Sequence, residues 1–387
     1  MNRFQRYMFG QVAVSVLLAV GLFVFVLTTG VLFKEVFPYL SRGAIGWGQF
    51  FEVLALLIPG ALPHALPMGV LTGVLIVLGR MSAQNEILAM RAAGLSLWRI
   101  VSPIFLVAAI GVVVSVLINF EHAPRANNTY KRILTETAFT DPSRLIAPGE
   151  FARFKNHVIY AGGRTGDLIH NVWVWEFNEN GQAVRIMQAE TATLSIANTT
   201  GGDANDTFQL IIHNAMTEEF NRKAPEDFSE PLRTVKADRL PISDTFENLW
   251  GRAGERGKEK KLRHHTFGEL MAARNAVLDV KAADGTDATA LFTKRIAYQL
   301  QIQSNLASAL GILSMTMLAI PLGIKTSRSE TLVNIAIALA LALSFYVLTV
   351  LVSWIKDPSL RPDILVWLPN FFYQGVGGWL LWRATRT

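Results

Sequence analysis

The chain has 387 residues, 51% of them hydrophobic, and a formal net charge of +6. It contains no cysteine, which excludes disulfides, thiolate catalysis and cysteine-ligated zinc. The apolar residues are concentrated in long runs, a distribution typical of membrane proteins. In such proteins a basic excess marks cytoplasmic loops and lipid head groups, so we do not expect nucleic-acid binding.

Six runs of the sequence are long, apolar and uncharged. Each is close to or above the roughly 20 residues that a helix needs to cross the hydrocarbon of a bilayer. Three precede and three follow a polar stretch, in the order Gln11–Phe33, Val53–Gly79, Ile100–Ile118, Ile296–Ile324, Thr331–Ile355 and Ile364–Trp382. The sequence therefore predicts an α-helical polytopic membrane protein with six transmembrane helices, three on each side of an inserted domain.

The predicted spans divide the chain into four segments. Residues 1–120 hold transmembrane helices 1–3, 121–265 form the insert, 266–290 hold a helix and linker, and 291–387 hold transmembrane helices 4–6. Lysine and arginine mark the short loops on one side, namely Arg3, Arg6, Arg80, Arg91, Arg99, Lys325, Arg328, Arg383 and Arg386. The positive-inside rule therefore predicts that both termini are cytoplasmic, and span parity places the insert outside.

A lysine follows the first apolar run. Lys34, with Glu35 beside it, lies where span 1 meets the outer surface, and Arg42 follows in the short loop. A lysine at such a boundary commonly extends its amine to lipid head groups. The alternative is a cation that binds the phosphate of a lipid ligand, assisted by Arg42.

Three prolines lie four residues apart in the second predicted span. Pro59, Pro63 and Pro67 therefore share one face of the helix. Each lacks an N–H and disturbs the carbonyl four residues earlier, which is tolerated where a neighbouring helix or water bonds the freed group. We expect this face to look toward protein or a cavity and to serve as a hinge, although proline is also common in membrane helices generally.

A short helix is predicted between the second and third spans, at about 82–94. Ser82 is placed to cap its start and Gly94 to end it. In the six-span arrangement this helix lies on the cytoplasmic side, between two membrane segments.

The surface of this helix is small and apolar. Several alanines keep it small, and Ile87, Leu88 and Met90 keep it apolar. Such a surface suits a groove on another protein, where Glu86 would pair with a basic residue. The alternative is a helix lying on lipid, with Glu86 solvated. The residues alone leave both open.

The insert, 121–265, is patterned as β-structure. Short β-branched and aromatic runs alternate with turn signals, of which Asn180-Gly181 is a typical hairpin turn. Phe208, Leu210 and Ile212 alternate along one run and are expected to face the interior, as closed core or as the lining of a groove. These short strands predict an all-β, jelly-roll-like domain.

A helix is predicted where the insert returns to the membrane. Thr266 is placed as N-cap and Glu269 follows three residues later, which is the pattern of a capping box. Residues 266–290 are therefore expected to hold this helix and a linker to the fourth span.

The sequence carries no recognisable catalytic motif. It contains no Gly-x-x-x-x-Gly-Lys-Ser/Thr, no His-Glu-x-x-His and no Gly-x-Ser-x-Gly. We therefore predict no catalytic residue, metal or cofactor. Any ATP-driven work would need a separate ATPase subunit.

The cytoplasmic motif resembles that of a known family. Leu66-Pro-Met-Gly69 and Leu78-Gly-Arg-Met-Ser-Ala-Gln-Asn-Glu-Ile-Leu-Ala-Met-Arg-Ala-Ala-Gly-Leu-Ser96 are similar to the signature of the lipopolysaccharide export permeases, the F and G subunits of the Lpt system. The similarity continues at Ala123-Pro124, Phe292-x-Lys-Arg295, Ala319-Ile-Pro-Leu-Gly323 and Trp367-Leu-Pro-Asn370. It therefore covers both membrane halves, and the insert matches in position.

The resemblance implies a permease of an ATP-driven exporter in a bacterial inner membrane. Such a permease extracts lipopolysaccharide and passes it to a periplasmic jelly-roll bridge protein, and its other partners are a cytoplasmic ATPase dimer and a second, homologous permease. The resemblance assigns Lys34 and Arg42 to lipopolysaccharide. It assigns contact with the ATPase to Glu86, Ile87, Met90, Arg91 and Gly94.

Two other functions compete with this interpretation. A permease of another lipid or lipoprotein exporter would share the membrane character, but lipoprotein-release permeases place one large domain after the first of four spans. A lipid-modifying membrane enzyme would need clustered titratable groups at one membrane depth, and the sequence displays none. The choice between F and G subunits stays open, although Lys34 and Phe177-Asn-Glu-Asn180 favour the G type.

Overall fold

A computed structural model of the protein contains two compact units. It describes residues 3–41, 43–140, 148–149, 151–153, 156–166, 168–178, 181–197, 207–220, 233–245, 262–279, 288–325, 331–355 and 360–386. The helical unit comprises Met1–Leu32, Leu54–Thr129 and Lys261–Thr387. The sheet unit comprises Phe33–Val53 and Tyr130–Lys260.

Long apolar helices dominate the described chain. The α-helices are α1 (Arg3–Val31), α2 (Phe37–Ser41), α3 (Trp47–Ala83), α4 (Glu86–Ala92), α5 (Leu97–Leu117), α6 (Ala123–Thr140), α7 (Phe267–Asp279), α8 (Ala288–Lys325), α9 (Thr331–Ser353), α10 (Pro362–Leu365) and α11 (Leu368–Arg386). Two π-helical turns, Leu32–Val36 and Ile118–His122, connect α1 to α2 and α5 to α6 without a break.

Within the described residues, four helical segments are long and apolar enough to cross a membrane. They are Arg3–Ser41, Trp47–Ala83, Leu97–Leu134 and Phe292–Lys325, and they contain the first four predicted spans. The apolar part of α9, Ala336–Val352, is shorter than these four segments. The chain is therefore a helical membrane protein, and six spans stay a prediction.

Glycine brings α1 and α3 into close contact. A Cβ added to Gly73 would lie 2.7 Å from the backbone of Val16, and one added to Gly69 would lie 2.8 Å from that of Val20. The Ser15 hydroxyl also donates to the Gly73 carbonyl at 3.2 Å. Two glycines four residues apart are the usual way in which membrane helices approach at backbone distance.

A buried polar network joins α8 to α11. The Asn370 amide donates to the Ala307 carbonyl at 2.8 Å, and the Ser314 hydroxyl donates to the Asn370 side-chain oxygen at 2.9 Å. A Cβ at Gly377 would lie 2.7 Å from the Met317 backbone. Hydrogen bonds and close backbone contact therefore hold these two helices together.

The sheet unit contains a six-stranded antiparallel sheet with its strands in sequence order. The strands are β1 (Phe151–Arg153), β2 (His157–Thr165), β3 (Leu168–Phe177), β4 (Ala183–Ala197), β5 (Thr207–Glu219) and β6 (Arg233–Thr245). The predicted β-structure of the insert is confirmed. A jelly roll would distribute strands over two sheets with Greek-key connections. The described strands instead form one meander, because each pairs with its neighbour in sequence.

Local signals predicted two features of this region correctly and one wrongly. Gly181, with φ of 78°, lies in the β3–β4 hairpin. The Thr266 N–H donates to the Glu269 carboxylate at 2.9 Å, which confirms the capping box. The predicted start of β-structure at 121 is wrong, because α6 occupies Ala123–Thr140 and carries a helical Arg132–Glu136 ion pair at 3.6 Å.

One face of the sheet, the inner face, carries a cluster of buried apolar side chains. Its members are Ala152, Ile159, Ala161, Ile169, Val172, Val174, Met187, Ala189, Ala192, Leu210, Ile212 and Ala215. Leu210 and Ile212 are each 1% exposed, so the prediction that they face the interior is confirmed. The Phe208 side chain lies outside the described residues.

Candidate docking and lipid-binding sites

The cytoplasmic motif forms a shorter helix than predicted. α3 continues past Ser82, and α4 begins at Glu86 after Asn85, whose φ of 56° is left-handed. The prediction of a single helix at 82–94 capped by Ser82 is therefore wrong. The Ser82 hydroxyl instead donates to the Ile324 carbonyl at the end of α8, at 2.7 Å.

Gly94 ends α4 as the sequence predicts. Its φ is +84°, where a side chain would be strained. The Gly94 N–H donates to the Arg91 carbonyl at 3.0 Å, and the Leu95 N–H donates to the Met90 carbonyl at 3.1 Å. These are the two bonds of a Schellman motif. Gly94 therefore fixes the end of the helix and the direction of the chain into α5.

One side of α4 packs against the protein and the other is exposed. Ile87 is 4% exposed and belongs to the helical core, against which Met90 also packs. Leu88 is 66% exposed, Arg91 is exposed and Glu86 is half-buried. Ile87 is therefore packed inside the protein, and its contact with a partner, like that of Met90, stays a prediction. We call Glu86, Leu88 and Arg91 the docking face.

The docking face lies at the junction of three long helices. α4 follows α3 directly and precedes α5, whose first residue, Leu97, is buried. The Ser82–Ile324 hydrogen bond ties the end of α3 to the end of α8. A Cβ at Gly323 would lie 2.8 Å from that of Leu78, so α3 and α8 touch at backbone distance there. A displacement of α4 would therefore reach α3, α5 and α8 together.

Lys34 is exposed in the π-helical turn after α1. The neighbouring Glu35 carboxylate accepts a hydrogen bond from the Tyr130 hydroxyl at 3.2 Å. Phe33 and Phe37 are exposed on either side, with ring centroids 5.5 Å apart. A cation that is flanked in sequence by exposed aromatic residues is suited to the boundary between lipid and water. The position of Arg42 lies outside the described residues.

The proline-containing part of α3 is an unbroken helix. Pro67 is buried, whereas Pro59 and Pro63 are half-buried. The Tyr346 hydroxyl of α9 donates to the His64 carbonyl at 2.8 Å. This bond joins α9 to the proline-containing segment, but the His64 carbonyl is not one of those that a proline four residues later leaves without a donor. The role of the prolines as a hinge stays a prediction.

A family model decides which proteins this chain resembles. The model described as "Lipopolysaccharide export system permease LptF/LptG" matches residues 6–383. The chain belongs to this family. It is also 24% identical over 196 residues to the lipopolysaccharide export system permease protein LptG of Haemophilus influenzae. That match covers 50% of this chain and 54% of the relative, about half the length of each.

Family membership confirms the resemblance found in the cytoplasmic motif. Together with the apolar helices, it indicates a multi-pass protein of the inner membrane. The family is described as one of transport permeases.

The motif did not reveal two features of the site. The first is which of the apolar residues of α4 faces outward: Leu88 is exposed, whereas Ile87 and Met90, three residues apart, pack inward. The second is the bond from Ser82 to Ile324. No local signal predicts that bond, because its partner lies at the far end of the chain.

Proposed function

We propose that this chain is one of two homologous permease subunits of an ATP-driven lipopolysaccharide exporter in a bacterial inner membrane. It has six spans and cytoplasmic termini, and it extracts lipopolysaccharide from the membrane. The observation that carries the proposal is the family match over residues 6–383, which includes both membrane halves and the inserted sheet.

ATP hydrolysis takes place on a separate cytoplasmic ATPase dimer, which contacts the docking face. The half-buried Glu86 pairs there with a basic residue of the ATPase, while the exposed Leu88 enters an apolar groove. Movement of the ATPase displaces α4 and thereby α3, α5 and α8. The prolines of α3 serve as the hinge at which this helix bends.

The second permease subunit completes a cavity for lipopolysaccharide. Exposed apolar side chains on α1, including Leu17, Leu18 and Leu22, are available to lipid or to that subunit. Lys34, with Arg42, binds phosphate at the outer boundary of the membrane. Contraction of the cavity then moves lipopolysaccharide toward the inserted sheet.

The inserted sheet passes lipopolysaccharide to a periplasmic jelly-roll bridge protein. Among the described strands, β6 is an edge strand of 13 residues, and one side of such a strand offers N–H and C=O groups for pairing. A strand of the bridge protein pairs with this edge, so that the apolar inner face continues into the partner.

Co-purification tests this assignment against its rivals. We expect the tagged chain, extracted from bacterial membranes, to bring a cytoplasmic ATPase, a homologous permease and bound lipopolysaccharide. The second permease also identifies which of the two subunits this chain is. Isolation without an ATPase, with turnover of a lipid, would favour a lipid-modifying enzyme. An ATPase with lipoprotein in place of lipopolysaccharide would favour another exporter.

Reporter fusions test the orientation. We expect a reporter that is active only in the periplasm to be active when fused after position 198 and silent after Ala93, because the short basic loops favour the cytoplasm. Each fusion is checked for membrane insertion by immunoblot. Activity after Ala93 would contradict the proposed orientation.

Photo-crosslinking tests the role of Lys34. A photo-reactive residue at position 34 should capture lipopolysaccharide in intact cells. Lys34→Glu should reduce export more than Lys34→Gln, because a carboxylate repels phosphate, and Lys34→Arg should retain it. If Lys34→Glu exports lipopolysaccharide fully and position 34 gives no crosslink, Lys34 does not bind the ligand. Its role would then be limited to contact with lipid head groups.

A further inference from the structure

One transverse row of residues interrupts hydrogen-bonded pairing in the sheet. Among the described residues of β2–β6, the ladder skips one cross-strand position in the pairs β2–β3, β3–β4 and β5–β6, and two adjacent positions in the pair β4–β5. The register is the same on both sides of the interruption. No residue has therefore been inserted, unlike in a β-bulge. We call these five in-register residues, one per strand, the crease row: Gly162, Asn171, Glu190, Asn214 and Asp238.

At the crease row, the regular alternation of side chains between the two faces of the sheet is interrupted. Asn171 and Asn214 have φ of 51° and 54°, in the left-handed region. A regular strand buries every second residue on one face, but β3 buries Ile169 and then Val172. The same step of three residues occurs in β4 and β5. The crease row thus separates two halves of the sheet, each regular by itself.

Few interlocking side chains flank the crease row. Beside it, on the inner face, lies a second row of small residues, namely Ala161, Val172, Ala189, Ala215 and Ala237. A cavity of about 670 Å³ lies along the crease and is lined by four of its five members. Cross-strand pairing therefore does not fix the angle between the two halves at the crease, and the side chains beside it are mostly small.

We propose that the crease row is a hinge line, along which the two halves of the sheet change their angle. Hinges are formed by a few residues that absorb changes in φ and ψ. Glycine, asparagine and aspartate, which tolerate left-handed conformations best, occupy four of the five positions. Because the apolar inner face, which is closed in this structure, spans both halves, bending would open or close it to an acyl chain. This last step rests on the proposed function.

Hydrogen exchange on the intact permease tests the hinge without any ligand. Amides of the crease row should exchange at least about tenfold faster than amides two or three residues away in the same strands, since local opening is easiest where hydrogen bonds are missing. Equal protection throughout β3, β4 and β5 would overturn the proposal.

Distances between spin labels test the motion directly. The chain has no cysteine, so Gln209→Cys and Glu218→Cys on β5, on opposite sides of the crease, are unique labelling sites. We expect a broader distance distribution for this pair than for a control pair within one half, Val158→Cys and Thr234→Cys. A distribution as narrow as that of the control would overturn the hinge.

Two double variants test whether the asparagines form the crease. Asn171→Gly with Asn214→Gly should preserve the distribution, because glycine adopts the same φ. Asn171→Val with Asn214→Val should lengthen and narrow it toward the roughly 30 Å of nine straight strand residues, because a β-branched residue avoids positive φ. An unchanged distribution in the valine variant would contradict this. If the valine variant does not fold, the hinge is tested by hydrogen exchange in the native chain and by the distance distribution of the glycine variant.

Added lipopolysaccharide separates the hinge from its proposed use. A shift of the distribution on addition supports bending around acyl chains. A broad distribution that lipopolysaccharide leaves unchanged would preserve the hinge and overturn its link to lipid transfer.

Discussion

Replacing Glu86 with alanine is expected to uncouple ATP hydrolysis from transport while the permease still inserts. Glu86 is half-buried, and no side chain among the described residues pairs with it, so its partner at the interface would be left uncompensated. Losing one member of such a pair costs about 2 kcal/mol at a partly exposed site, or roughly 30-fold in affinity. Retention of the ATPase on the purified permease measures this directly.

Matched variants separate the docking role from general damage. Glu52→Ala, at an exposed glutamate near the start of α3, should leave ATPase retention unchanged. Leu88→Asp should weaken it, because Leu88 is exposed and apolar on the docking face. If the Glu86→Ala permease retains the ATPase and couples ATP hydrolysis to transport normally, Glu86 is only a solvated charge.

Ile212→Asp is expected to prevent the inserted sheet from folding. Ile212 is 1% exposed within the inner-face cluster, and an unpaired carboxylate there would cost about 4 kcal/mol or more. The mutant protein should be lost from the membrane or be digested rapidly by added protease. Immunoblots of membranes, before and after protease treatment, measure both.

The adjacent residue supplies the control for this substitution. Ile211 precedes Ile212 in β5 but is half-buried on the opposite face, so Ile211→Asp should be much milder. If the Ile212→Asp protein is stable and assembled and fails only in lipid transfer, Ile212 does not belong to a closed core. In that case Ile212 would line an open groove.

The features that the sequence predicted correctly depend on local physics. Apolar runs of span length, the Gly181 turn, the Thr266 capping box and the Gly94 stop each involve residues that lie close together in the chain. The boundary at 121 failed because the helix of α5 continues, through a π-helical turn, into the polar helix α6, which lacks the long apolar run that marks the spans.

The features that the sequence did not reveal depend on distant partners. Ser82 has the side chain of an N-cap, but its hydroxyl bonds a carbonyl 242 residues away. Ile87 is apolar like Leu88, and only packing against other helices decides that Ile87 is buried. The crease row becomes visible only when five strands are aligned, since single asparagines in strands look like ordinary turn residues.

ATP-dependent release of lipopolysaccharide tests the central claim most directly. Liposomes would contain lipopolysaccharide and the permease, together with its ATPase and second permease, and a soluble periplasmic bridge protein would serve as acceptor outside. We predict that lipopolysaccharide reaches the acceptor only when ATP is present, and that Glu86→Ala abolishes most of this transfer while Glu52→Ala does not. Transfer that proceeds equally without ATP, or no transfer from the complete complex, would contradict the assignment.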